Sequence, residues 1–176
     1  LGSVKQAREG TISFVVGGDA EAFERALPAL KACGEMIRHC GASGAGNNMK
    51  LIHQTLVAGH AVAVAEAMAL CLETGADVEA FYDIVTQGTG FAYSRYFENR
   101  VPRMREGDFS ALFMLRFMLK DARLARDMTD RIDAYPMLSN VIASFEEAEA
   151  SGHGDDDFSA VMKALEDRLG VAIKRD

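Results

Sequence analysis

Three polar side chains interrupt an apolar run at a spacing that suits acid–base chemistry: Lys50, His53 and Gln54. On a helix, positions i, i+3 and i+4 share one face. His60 lies seven residues past His53, two turns on and only about 20° off the same line. A lysine at the start of a buried helix, beside a glycine-rich turn, sheds part of its hydration. Desolvation favours the neutral amine that a general acid–base group uses. On spacing alone a second reading stands beside this one: a lysine snorkelling at a helix end, with His and Gln as satisfied polar spots in a core.

Other chemistry-bearing residues point to less. Gly41-Ala42-Ser43-Gly44-Ala45-Gly46 has its glycines in the wrong order for a GxGxxG dinucleotide fingerprint, Gly17-Gly18 has no third partner, and no GxxxxGK[ST] occurs. The plain role of the 41–46 turn is tight entry into a helix, with N–H groups nearby to meet an anionic ligand group. His153 followed by Asp155, Asp156 and Asp157 reads as a helix-capping turn. Histidines 39, 53, 60 and 153 lack ligand spacing, so no metal site is expected. Cys71 has no adjacent base to activate it. Phe113, Met114, Phe117 and Met118 fall at helical spacing and are expected in the core.

The elements that hold these residues change in character along the chain. Residues 11–16 are β-branched and aromatic and stop at Gly17-Gly18-Asp19, which predicts a strand. Residues 20–32 read as a helix capped by Asp19, and 35–40 as a second strand. Leu1-Gly2-Ser3, without an initiator Met, reads as running directly into the first strand, as in a piece of a longer protein. From residue 47 to 74 one long helical segment follows. Sixteen of the twenty-two residues between Leu51 and Leu72 are Ala, Val, Ile, Leu, Met or Cys, and they occur on every side. A helix apolar all round is buried all round, by protein or by lipid. Glu66, His53, Gln54 and His60 make lipid the poorer choice. At ~1.5 Å per residue the run spans roughly 33 Å, about the width of a small domain. A central helix wrapped by others is expected, its ends covered by a second subunit. Further helices are expected over 77–86, over 93–105 with an interruption at Pro102, and over 115–132, 137–151 and 157–169. The boundary is placed at residue 42: an α/β remnant over 1–42, then an all-α domain over 43–176.

Composition narrows the function classes. Nineteen Lys and Arg against 26 Asp and Glu give a net charge of −7 over 176 residues, and the basic residues are scattered, so nucleic acid is not an expected partner. Hydrophobic residues make up 49% of the chain and Pro only three positions, which disfavours disorder. The three cysteines form no CxxC pair, as suits a reducing cytoplasm.

Gly44-Ala45-Gly46-Asn47-Asn48-Met49-Lys50-Leu51-Ile52-His53-Gln54 resembles the GxGxxxKxx[NH] motif of the β-hydroxyacid dehydrogenases. That family includes 3-hydroxyisobutyrate, tartronate semialdehyde, L-threonate and 6-phosphogluconate dehydrogenases. The likeness continues through Ala65-Glu66-Ala67-Met68-Ala69-Leu70, Phe97-Glu98-Asn99-Arg100, Leu119-Lys120-Asp121, and the 152–161 stretch with its Asp before Ser-Ala-Val. It covers nearly the whole chain from Gly10 onward. The Lys-x-x-His-Gln variant, with His60 downstream, is most similar to the L-threonate dehydrogenase branch.

The resemblance implies an N-terminal Rossmann domain for NAD or NADP and a C-terminal all-α domain that builds the substrate pocket and the dimer. The chain would then comprise the last strand–helix–strand of the Rossmann domain and a 6-phosphogluconate-dehydrogenase-like helical bundle around one long central helix. Lys50 matches the catalytic lysine, and His53 falls at the family's substrate-binding Asn, with Gln54 beside it. Gly2 and Ser3 stand in the place of a Ser-Gly-Gly substrate loop, of which only one glycine is present; a vector-derived Gly-Ser reads the same way. Lys120 matches a lysine near the cofactor, with Asp121 positioning it; apart from the resemblance, a solvated Lys–Asp pair is the simpler reading. The 87–95 segment matches a substrate loop. The implied function is NAD(P)-dependent oxidation of a small hydroxyacid by a cytoplasmic homodimer or dimer of dimers, with no membrane partner and no turnover by this chain alone. Two alternatives are a non-catalytic helical dimerisation module and a relative of the imine reductases, a branch that departs from Lys at position 50.

Overall fold

The computed structural model describes residues 1–174. The chain is mostly helical with one small parallel sheet, and it divides into two compact units, Leu1–Thr55 and Leu56–Asp176.

The first unit opens with a helix, α1 (Val4–Glu9), where a direct run into a strand was expected. The cause is a capping box. The Ser3 hydroxyl accepts from the Lys5 backbone, the Gln6 side chain returns to the Ser3 N–H, and Gly10 ends the helix at φ 68°. β1 (Ile12–Gly17) and β2 (Gly34–Gly41) pair in parallel, with Ser13 opposite Met36 and Val16 opposite His39. Parallel strands need a crossover, and α2 (Ala20–Lys31) supplies it, capped by Asp19 at the Ala22 N–H. His39 is fixed by stacking on Phe23 at 4.9 Å and by a 2.8 Å contact from Nε2 to the Gly18 carbonyl.

α3 (Ala45–Thr74) begins in the first unit and continues into the second. It is long and apolar enough by itself to cross a membrane, and 44% of that window is buried within the chain. Burial on every side, expected from composition, is therefore not what one chain provides. Ala58, Ala61, Val62, Ala65, Met68 and Ala69 are buried, whereas Leu56 is 64% and Leu70 60% exposed. The buried positions follow the 3.6-residue period of one face, and the opposite face keeps its apolar side chains in the open.

In the second unit α4 (Val78–Gln87), α5 (Arg95–Glu106), α6 (Leu115–Arg126), α7 (Pro136–Ala148) and α8 (Val161–Leu169) complete the core around Phe97, Val101, Leu115, Met118, Phe145 and Met162. α5 runs through Pro102 without the expected interruption. Proline cannot donate to the carbonyl four residues back. The Glu98 carbonyl is met instead by the Tyr82 hydroxyl at 3.3 Å. α6 stops at Arg126, short of the expected residue 132: its ladder tightens into i→i+3 bonds, Met128 N–H to the Ala125 carbonyl and Thr129 N–H to the Arg126 carbonyl, and beyond it the Thr129 hydroxyl accepts the Arg131 N–H. Its inward stripe is Leu115, Met118, Leu119 and Ala122; Phe117, expected in the core, falls outside that stripe and is exposed. α7 ends at Ala148 and widens into a π-turn, Glu149–His153, with Gly152 at φ 95°. α8 starts at Val161, later than expected, after a short 3₁₀ turn, Phe158–Ala160, capped by Asp157.

Candidate active site

Two glycines fix where α3 starts. A methyl group on Gly46 would lie 2.4 Å from the Val15 carbonyl oxygen, and one on Gly17 would lie 2.6 Å from the Ala42 oxygen and 2.9 Å from the Gly46 nitrogen. The first turn of α3 is thus pressed backbone to backbone against the carboxyl end of β1, a contact that only hydrogen side chains allow. Carboxyl ends of parallel strands are where open α/β sheets place their ligands.

Lys50 stands one turn beyond Gly46, half-buried. The segment carrying Gly2 and Ser3 lies near it. Leu1 runs along β1, its nitrogen 2.7 Å from the Ser13 carbonyl oxygen and its own carbonyl accepting the Ser13 N–H at 2.9 Å, within electrostatic reach of Lys50. Gly2 takes φ 129°, and the Ser3 hydroxyl is committed to its capping box. The imidazole of His53 is exposed, its Nδ1 3.3 Å from Gln54 Oε1. The first unit thus assembles Lys50, His53, Gln54 and the 1–3 segment on or beside one helical turn.

Lys120 belongs to the second unit. Its side chain is 58% exposed and donates to Asp121 Oδ1 at 2.6 Å, while Asp121 is only 1% exposed. The pair is solvated on one side only: the Asp121 carboxylate is buried, and the Lys120 ammonium it holds lies in the open. In the 87–95 loop Phe91 is fully exposed, and the Tyr93 hydroxyl donates to Glu98 Oε2 at 2.8 Å. That bond pushes the Tyr93 phenol up from its ordinary pKa. A cavity of about 300 Å³ in this unit is lined by Asp77, Val78, Glu79, Pro102, Arg105, Glu106 and Ile173, none of them an expected site residue. His153 pairs with Asp156 at 2.8 Å, and among the described residues no three His, Cys, Asp or Glu side chains are placed to hold a metal.

One constellation escaped sequence reasoning. Asp157, fully buried, receives Arg100 Nε at 2.9 Å and Nη2 at 3.4 Å, and Arg100 stacks over Phe158 at 5.4 Å. Phe158 in turn packs on Tyr96 at 5.2 Å. Burial, with the Asp157 charge adding to it, pushes the Tyr96 phenol far above its ordinary range. The sequence signals were present as two separate motifs, one ending in Arg100 and the other the 152–161 stretch that contains Asp157. Nothing local said that they meet.

Residues 44–165 match the family described as NAD-binding of NADP-dependent 3-hydroxyisobutyrate dehydrogenase, and residues 1–41 match the NAD binding domain of 6-phosphogluconate dehydrogenase. An uncharacterized oxidoreductase of Synechocystis is 39% identical over 90% of this chain and 53% of its own length. The L-threonate dehydrogenase of Cupriavidus necator is 38% identical over 92% of this chain and 54% of its own. A crystal structure of 3-hydroxyisobutyrate dehydrogenase from Salmonella typhimurium superposes with a TM-score of 0.82 at 32% identity, covering 93% of this chain and 57% of that one. The chain spans about half the length of the curated relatives it matches. The likeness read from the motif around Lys50 is therefore one of descent, and the chain belongs to the family of NAD(P)-dependent 3-hydroxyacid dehydrogenases.

Proposed function

We propose that this chain forms the substrate-side part of an enzyme that oxidises a small hydroxyacid, or reduces the matching keto acid or semialdehyde, with Lys50 as general acid–base. In this reading the strand–helix–strand of the first unit closes a Rossmann sheet, and the helices of the second form a 6-phosphogluconate-dehydrogenase-like bundle around α3. The observation that carries it is the half-buried Lys50, one turn past the glycine contact at the carboxyl end of a parallel strand pair.

NAD or NADP suits the first unit, where the glycine contact leaves no side chain between the end of β1 and the start of α3. In the second unit, taken by itself, Lys120, which the family resemblance assigns to the cofactor, offers a positive charge held from behind by Asp121. A bound nicotinamide supplies a hydride acceptor. Lys50, in its amine form, takes the proton of the substrate hydroxyl as the carbinol carbon gives up its hydride and becomes a carbonyl carbon. In the reverse direction the Lys50 ammonium returns that proton to the carbonyl oxygen. With its Nδ1–H turned to Gln54 Oε1, His53 keeps Nε2 to accept from the substrate hydroxyl or, as imidazolium, to donate to the carboxylate, and Gly2 and Ser3 border the substrate. Lys120 would offer the bound cofactor a point charge.

The GxGxxG fingerprint is not among these residues, so the chain alone is expected not to turn over. The exposed Leu56, Leu70, Ile84 and Met137 support a homodimer, or a dimer of dimers, as the working form. A net charge of −7 argues against nucleic acid as a partner, and the polar residues along α3 argue against a membrane. A cytoplasmic location completes the reading. The test is a panel of small hydroxyacids with NAD and NADP on the full protein that the gene encodes, followed by nicotinamide absorbance. Turnover of at least one 2- or 3-hydroxyacid is expected. Silence on the whole panel, with a dimer still formed, favours the non-catalytic dimerisation module.

A further inference from the structure

α6, the helix that carries Lys120, lacks a cap of its own. Its N-cap residue, Met114, makes no side-chain capping bond. The first N–H groups of a helix have no partner within it and are costly to bury unmet. Here two of them are met from about forty residues further along the chain: Leu115 N–H donates to the Asp156 carbonyl at 2.8 Å and Arg116 N–H to the Gly154 carbonyl at 3.0 Å. The same turn holds the residues just before the helix. Asp157 Oδ2 accepts from Leu112 N–H at 3.0 Å and Phe113 N–H at 3.2 Å, Asp157 N–H donates to the Phe109 carbonyl at 2.8 Å, and Phe158 N–H donates to the Phe113 carbonyl at 2.9 Å.

Two cations hold the turn: Arg116 of α6 pairs with Asp155 and donates its Nε to the Gly154 carbonyl at 3.4 Å, and Arg100 holds the buried Asp157. Arg100, from α5, reaches both oxygens of Asp157, whose Oδ1 also accepts the Ser159 N–H at 3.2 Å. With Asp157 fully buried and the Arg100 side chain 16% exposed, both charges have left most of their water. Such a pair is seldom retained for stability alone, because the desolvation of two ions offsets most of their attraction. What it gives is a fixed geometry, since a guanidinium fork and a carboxylate align in only a few ways.

We infer that Arg100 and Asp157 form a clasp that caps α6 from outside and thereby sets the position of Lys120 toward the dinucleotide. They are positioning residues, not catalytic ones, acting through the start of α6. The inference rests on the proposed cofactor role of Lys120, and its test separates the two.

In the full protein that the gene encodes, Asp157→Asn removes the charge and keeps the size. Arg100→Lys serves as a second variant, should the first fail to fold. Hydrogen exchange reads the clasp without any cofactor: the amides of Leu112, Phe113, Leu115 and Arg116 are expected to exchange at least about tenfold faster, with those of α7 unchanged. Unchanged exchange at these amides overturns the clasp. NADH and NADPH are then titrated by nicotinamide fluorescence in the parent, Asp157→Asn, Lys120→Ala and the double variant. Asp157→Asn is expected to weaken binding by roughly fivefold when Lys120 is present and by less than about twofold when it is absent. Equal weakening in both backgrounds overturns the inference and leaves a general packing role. If Lys120→Ala alone leaves binding unchanged, the cofactor role of Lys120 falls and this inference with it, while the acid–base reading of Lys50 stands.

Discussion

The opening turns of α3 and the turns that follow Thr55 obey different rules. In the first unit the helix is crowded at its backbone: Gly46 meets Val15 so closely that even a methyl group has no room, and the polar side chains Lys50, His53 and Gln54 follow within two turns. In the second unit the crowding moves to the side chains, with Ala58, Ala61, Ala65 and Met68 wholly buried, while Gly59 has open space where a Cβ would be. The difference teaches that one continuous helix divides two tasks. Its start is placed by main-chain contact, which fixes where the turn carrying Lys50 begins, and its remainder is held by apolar burial, which supplies stability.

Substitutions at the two ends sharpen or break that division. The largest effect on stability is expected at Met68, where Met68→Ala should cost about 2–5 kcal/mol in denaturant unfolding through the cavity it leaves. Gly46→Ala should cost about 1–3 kcal/mol, because the new methyl meets backbone that cannot swing aside. It should also impair turnover in the full protein, as Lys50 shifts with the helix start. A silent Gly46→Ala breaks the comparison. Gly59→Ala, by contrast, should raise stability by about 0.4–1 kcal/mol, since the site is open and a helical alanine loses less chain entropy on folding. Smallest on stability, within about 0.5 kcal/mol, should be His53→Asn at an exposed position. Its effect belongs to selectivity: kcat/KM ratios among hydroxyacids should change, and an equal loss on every substrate removes His53 from the substrate site.

How much of this the residues reveal by themselves depends on sequence distance. Lys50, His53, Gln54 and the long helix are legible because spacing and periodicity act within a few turns. The parallel strand pair was legible for the same reason, its two strands and helix being contiguous. α1 was missed although its signature, Ser3-x-x-Gln6 with Gly10 as stop, lies in plain view, because Leu1-Gly2-Ser3 drew the reading toward a strand. Pro102 misled because proline's missing donor was weighed without the Tyr82 hydroxyl that compensates it. The glycine contact between β1 and α3 and the Arg100–Asp157 clasp stayed hidden, since the clasp joins residues 57 apart and no local pattern encodes such a meeting. The half-open face of α3 was hidden for a related reason. Composition says that a helix is apolar on all sides, but only tertiary packing decides which side one chain covers.

The central claim is that the Lys50 nitrogen moves the substrate proton. It is tested most directly by Lys50→Ala in the full protein, assayed on its best hydroxyacid alongside nicotinamide affinity and thermal unfolding. A loss in kcat of at least about a hundredfold, with both controls unchanged, is the result predicted for a general acid–base group. A kcat within about twofold of the parent contradicts the account.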